Sequence, residues 1–243
     1  MYVLPPCNVL QTLFLKVCTI SGNGIRNMNI GLMGGTFNPI HLAHLRIAEE
    51  AREMCSLDRV IFIPAADPPH KPLAGEVPFE QRYEMVRCAI AGNPYFMLSD
   101  VEGLRPGKSY SIDTIAAIQD EHPGDKLFFI IGSDSFLEIG QWHRYLDIFR
   151  SCSLIVVERP GRQICDPLAA LPVAIRGELR YTPPVRYLEH AAGTSVQFLC
   201  GCPLDISSSE IRRLLAEGHS ITYLVPPEVE AYIKEQRIYT ECP

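Results

Sequence analysis

The sequence predicts an α/β chain with a doubly wound parallel sheet and helices on both faces. Three observations carry this. From Met28 onward, short apolar runs alternate with segments of helical period, the order that lays helices over a parallel sheet. One run, 126–131 (KLFFII), is apolar without alternation, as in a strand covered on both sides. The first run, 30–33, passes through a glycine turn straight into a helix start at His41. That is the layout of Rossmann-like sites, in which backbone N–H groups at a helix end face a phosphate.

Taken in order, the first strand is followed by a helix to about Met54 and a second strand at 59–64 that stops on Pro64. Residues 65–77 form a proline-rich loop carrying His70 and Lys71, at the strand edge where open α/β sheets bind ligands. A helix over 79–91 presents Met85, Val86, Ala89 and Ile90 on its apolar side, and a third strand covers 95–98. Ser109, Tyr110, Ser111, Asp113 and Thr114 open another helix, where hydroxyls and carboxylates commonly act as caps. After KLFFII come Gly132, Ser133 and Asp134, a helix with Phe136 and Leu137, and then Trp142, the only tryptophan. Strands follow at 153–157 and 196–199, while 162–189 is rich in proline and shows no strong period.

At 47% apolar residues over 243, the chain can bury a sizeable core. A net charge of −6 argues against a nucleic-acid binder but not against a small anionic substrate, since local fields in a cleft outweigh a modest total. No run is long and apolar enough to suggest a membrane span. The nine cysteines are odd in number and form no dense framework, which fits free thiols in a cytoplasmic protein. Cys200 and Cys202 lack the companions of a structural zinc site, and no metal-binding cluster is expected from the protein alone.

Two stretches concentrate the chemistry. In 34–44 (GGTFNPIHLAH), Gly34 and Gly35 let a ligand approach the backbone, and Thr36 and Phe37 offer amides. His41 and His44, three apart, share one face of the first helical turn and point at the anion those amides address. An isolated pair of this kind is most often two surface histidines. The preceding strand, the glycines and Pro39 favour an anion site here. In 206–212 (ISSSEIR), Ser207 and Glu210 read as a capping box, placing Ser208 and Ser209 in the first turn with Arg212 on the same face as Ser208. Two helix N-termini with cations suit a triphosphate.

GGTFNPIHLAH resembles the nucleotidylyltransferase signature GxFxPxHxGH, in particular that of bacterial nicotinate-nucleotide adenylyltransferases. Ala43 replaces a glycine of the pattern, and Asn38 stands where many members have aspartate. The 206–212 segment is similar to the superfamily's ISSTxIR, Ser109–Thr114 to its SYTxDT, and 132–142 to its GxD…W segment, so the likeness spans about 28–237. It implies adenylyl transfer from ATP to nicotinate mononucleotide. His41, His44 and Arg212 would be catalytic, with Gly34, Gly35, Thr36, Phe37, Asp134, Ser208 and Ser209 also binding ATP. His70, Lys71, Ser109, Tyr110, Ser111, Asp113 and Trp142 would bind the mononucleotide, Trp142 by stacking on the pyridine. Magnesium would be carried largely by the ATP phosphates. Nicotinamide mononucleotide or phosphopantetheine as acceptor, or a non-catalytic nucleotide-binding regulator, are the alternatives; a homo-oligomer stays open.

Residues 1–27 carry none of these motifs. The apolar stretch 9–20 is broken by Gln11 and Lys16, and a glycine-rich break at 21–24 separates it from the nucleotidylyltransferase domain, 28–243. The extension is therefore expected to be dispensable. A chain begun at Met28 should fold and keep its activity, and loss of soluble protein on that truncation would show that the extension packs on the core.

Overall fold

The computed structural model describes residues 27–68, 77–158, 163–201 and 204–239. The N-terminal extension up to residue 26, His70, Lys71 and Cys202 lie outside them.

Eight strands form one sheet in the order β3-β2-β1-β4-β5-β8-β7-β6. They are β1 (Asn29–Gly35), β2 (Arg59–Pro64), β3 (Phe96–Leu98), β4 (Lys126–Gly132), β5 (Ser153–Glu158), β6 (Leu179–Thr182), β7 (Tyr187–His190) and β8 (Ser195–Cys200). All pairings from β3 across to β8 are parallel. The helices are α1 (Leu42–Met54), α2 (Phe79–Ile90), α3 (Val101–Leu104), α4 (Ser111–Glu121), α5 (Ser133–Leu137), α6 (Tyr145–Ser151), α7 (Val173–Arg176), α8 (Ser208–Ala216) and α9 (Pro227–Glu235).

The apolar runs are explained by burial on both faces. Ile61 and Ile63 of β2 join one core with Leu127 and Phe129 of β4, under Ile112, Ile115 and Ile118 of α4 and Phe149 of α6. The alternate residues Val60, Phe62, Ile130 and Ile155 join the other, under Ala48 and Ala51 of α1, Met85 and Val86 of α2, Ile211 of α8 and Val229 of α9. A strand covered on both faces has no polar position to alternate, so the doubly wound reading holds.

Chain order reverses between β1 and β4. From β1 the chain winds outward to β2 and β3, and from β4 to β5 and β8. A crevice therefore opens beyond their carboxyl ends, at Gly34, Gly35 and Gly132, where open α/β sheets hold ligands.

The parallel sheet also carries an antiparallel hairpin at one edge. The illegible region 162–189 supplies α7 and two edge strands, with β6 antiparallel to β7 and β7 antiparallel to β8. Their turn runs through a short 3-10 helix (Pro183–Val185) to Arg186, which adopts a left-handed conformation (φ 50°). Arg186 donates to the buried carboxylate of Glu158 at the end of β5 (2.9 Å) and to the Ile164 carbonyl (2.9 Å). The Ile164 N–H donates to the same carboxylate at 2.6 Å. Among the described residues, no helix is long and apolar enough to cross a membrane.

Glu158 thus fastens the hairpin to the parallel sheet. Glu158→Ala strands a guanidinium and a buried N–H together and should cost about 2–3 kcal/mol in urea unfolding. Glu158→Gln keeps an acceptor and should cost less. Equal losses would show that the hydrogen bonds to Glu158 carry no stability.

Candidate active site

Strand β1 delivers Gly34 and Gly35 to the crevice. A Cβ on Gly34 would meet the Phe129 ring at 3.6 Å, and one on Gly35 would sit 3.0 Å from the Phe37 ring. Phe37 turns back beneath the glycines in a left-handed conformation (φ 48°) and is buried. Such a turn cannot pair its backbone in a ladder, so its carbonyls take donors from elsewhere. Arg82 of α2 donates through Nη1 to the Thr36 carbonyl at 2.8 Å. Arg212 of α8 donates through Nη1 to the Asn38 carbonyl at 2.7 Å, and the Ser208 hydroxyl donates to that of Pro39 at 2.8 Å. The Tyr239 hydroxyl donates to the Asn38 side-chain oxygen.

His41 is the N-cap of α1 and His44 its third residue, so the two share a face as expected. Their rings stack at 3.7 Å, and the edge of Phe37 meets His44 at 5.1 Å between centroids. The His41 backbone N–H donates to His44 Nδ1 at 3.2 Å. With Nδ1 accepting, a neutral His44 carries its proton on Nε2, leaving that N–H to donate. Burial lowers the His41 pKa to about 4. Burial, and then the nearby His41 charge, hold His44 well below its ordinary value. Both rings are thus neutral at pH 7 without a ligand. A triphosphate brought against them would push both values back up.

At the second motif, the Ser207 side chain accepts from the Glu210 N–H at 3.2 Å, so the N-cap is as expected. The reciprocal half of the capping box is replaced: the Glu210 carboxylate takes Arg213 at 2.6 Å. Arg212, expected to be catalytic, holds the Asn38 carbonyl and the Ser209 hydroxyl (3.3 Å). Both helix starts nevertheless meet, because α8 reaches the loop that leads into α1.

The expected mononucleotide residues divide. Trp142 is half-buried and packs on the core, with its ring edge-to-face on Phe129 at 6.2 Å, and it is Phe129 that lies against Gly34. Tyr110 is the N-cap of α4, and its ring lies 4.3 Å from that of His143, an exposed neighbour of Trp142 that the sequence did not single out. Ser109 is no cap: its hydroxyl accepts from the amides of Ala66 and Asp67, each at 3.1 Å, bracing the loop after β2. Ser111 and Asp113 lie in the first turn of α4. Asp134 is exposed at the start of α5, just past β4. Cys200 is exposed at the end of β8.

Arg82 was missed. It is fully buried, and besides Thr36 it donates to the carbonyls of Ala65 (2.7 Å) and Val77 (3.2 Å). The signal was present: Arg82 stands three residues before Met85 and four before Val86, hence on the buried face of α2.

A parallel α/β sheet with a glycine turn, paired histidines and a serine-capped helix at its switch point defines a nucleotide-binding protein of the nucleotidyl-transferring class. The chain belongs to the cytidylyltransferase-like family, whose model matches residues 32–214, and within it to the nicotinate-nucleotide adenylyltransferases. It is 76% identical to the "Probable nicotinate-nucleotide adenylyltransferase" of Pelobacter propionicus over 216 residues, 89% of this chain and 100% of the relative. The protein of that name from Geobacter sulfurreducens is 61% identical over 87% of this chain and 98% of its own. Among solved structures, the Plasmodium falciparum nicotinic acid mononucleotide adenylyltransferase complexed with NaAD shares the fold. It has a TM-score of 0.66 at 21% identity, over 88% of this chain and 98% of that one.

The depressed histidine pKa values set a pH dependence. As pH falls from 6.5 towards 4, the unfolded chain takes up protons that the native histidines refuse, so stability should fall with pH in that window. His41→Gln removes one such group and should flatten the slope, read as melting temperature against pH in the ligand-free protein. An unchanged slope would mean that His41 titrates normally.

Proposed function

We propose that this chain transfers the adenylyl group of ATP to nicotinate mononucleotide, forming nicotinate adenine dinucleotide and releasing pyrophosphate. The observation that carries the reading is the 76% identity across the whole of the Pelobacter relative. The crevice geometry supports a mechanism for it.

A phosphate oxygen of the mononucleotide attacks the α-phosphorus of ATP in line. The new P–O bond forms as the bond to the β-phosphate breaks, and the electron pair leaves with pyrophosphate. Such chemistry rests on alignment and on stabilising developing charge. The Nε2–H of His44 donates to a phosphate oxygen, and its stacking on His41 fixes the ring plane. The first-turn amides of α8, with Ser209, hold the departing phosphates, and Arg212 supplies positive charge there while anchoring the turn at Asn38. The Thr36 and Phe37 amides help to place the two nucleotides, with Asp134 at the nucleotide-side rim. Trp142 stacks on the pyridine, with Tyr110, Ser111 and Asp113 along the same wall and Ser109 holding the wall's loop. His70 and Lys71 belong to the same acceptor side by resemblance alone.

Among the described residues, no three His, Cys, Asp or Glu side chains assemble into a metal cage. Magnesium would arrive on the triphosphate and keep most of its shell there, neutralising phosphate charge. The cysteines among the described residues are free thiols, which suits a cytoplasmic location.

Pyrophosphate release on mixing the purified chain with ATP and each acceptor tests the reading. Nicotinate mononucleotide should be used much faster than nicotinamide mononucleotide, and phosphopantetheine not at all; silence with the first would overturn it. His44→Ala should then lower turnover on the order of 10²-fold with ATP affinity and melting temperature close to wild type. Normal turnover with a lowered melting temperature would make His44 structural.

A further inference from the structure

We propose that Arg82 is a positioning residue for adenylyl transfer, a buried cationic clamp that holds the loop after β1 and the loop after β2 in one mutual alignment. The inference rests on the functional reading above and assigns a role to a residue that touches neither nucleotide motif in sequence.

The geometry is specific. Nη1 donates to two carbonyls from different loops, Thr36 beyond β1 and Ala65 beyond β2, and Nε donates to Val77 at the entry to α2. Thr36 belongs to the turn that presents the histidines. Ala65 is followed by Ala66 and Asp67, whose amides donate to the Ser109 hydroxyl on the proposed acceptor wall. One planar group therefore ties the phosphate side of the crevice to the acceptor side. In-line transfer needs those sides registered to a fraction of an ångström, since a misplacement of about 1 Å can cost roughly 10²-fold in rate.

A packing role alone does not account for this residue. An apolar side chain would hold α2 on the sheet without desolvating a charge, and such replacements of buried ionic groups are often neutral or stabilising. What an apolar residue cannot do is to bind three carbonyls from three segments, a task suited to the rigid five-donor fork. The partners are neutral oxygens, and Nη2 is buried with no hydrogen-bond partner among the described residues. The guanidinium charge is thus not consumed by a carboxylate in direct contact, and it lies beneath the turn at which the triphosphate is placed. Tyr239 fixes the Asn38 side chain and Arg212 the Asn38 carbonyl, so both arginines are tied to the one turn.

The test compares the full chain with Arg82→Lys, Arg82→Gln and Arg82→Met, reading turnover per folded molecule from pyrophosphate release alongside thermal melting. Arg82→Gln and Arg82→Met should each lose on the order of 10²-fold in kcat, more than KM changes for either substrate. Arg82→Lys, which keeps the charge without the fork, should recover part of that loss. If Arg82→Met does not fold, the Gln and Lys variants carry the comparison. Wild-type kcat in the folded fraction of Arg82→Gln, with only a lower melting temperature, would overturn the proposal. A wild-type chain inactive with every acceptor would instead remove the functional reading, and this inference with it.

Discussion

The four residues Thr36 to Pro39 present backbone oxygens that the chain around them cannot satisfy. Phe37 is forced into the left-handed region, so the segment pairs with neither strand nor helix, yet most of it is buried. A buried carbonyl without a donor costs about as much as a lost hydrogen bond, and the fold meets this requirement with side chains from far along the sequence. Arg82 arrives on α2 and Ser208 and Arg212 on α8, while Tyr239, from beyond α9, donates to the Asn38 side-chain oxygen. The start of α1 is tied in as well, through the Leu42 N–H on the Leu224 carbonyl at 3.0 Å. Elements separated by up to two hundred residues therefore converge on one turn, and the crevice owes its shape to the need to satisfy that turn.

This explains what was legible in the sequence. The parallel strands could be read because burial on both faces removes polar positions, as in 126–131 and 153–157. The paired histidines could be read because helix geometry turns a spacing of three into proximity. The β6–β7 hairpin could not. Its strands are four residues each, only half-buried in alternation, and joined through two prolines and a left-handed arginine in place of the Asn-Gly or Gly turn that marks a hairpin.

The roles of the polar residues were harder to read than their positions. Ser208, Arg212 and Ser109 have the chemistry of ligand contacts, yet in the folded chain their side chains hold backbone of neighbouring loops. A motif states which groups are present but not which partner takes them. Arg82 shows the converse. In a helix sequence an arginine defaults to a solvated face, and only its spacing from Met85 and Val86 placed it inside. A carbonyl cluster that would draw a guanidinium there becomes visible only when the chain is folded.

The electrostatics of the histidine pair then acquire a purpose. Two imidazolium groups at the turn would attract a triphosphate strongly from the outset, lowering the ground state along with the transition state and gaining little in turnover. Neutral rings bind the incoming anion more modestly. In the proposed mechanism, the Nε2–H of His44, oriented through Nδ1 by the His41 backbone, needs no reorganisation when charge moves onto the transferring phosphoryl oxygens. In the same mechanism, permanent positive charge comes instead from Arg82 and Arg212, which are held against carbonyl oxygens. The arginines are thus committed to holding the turn, and on the proposed mechanism the two histidines are the groups left to respond as the reaction develops charge.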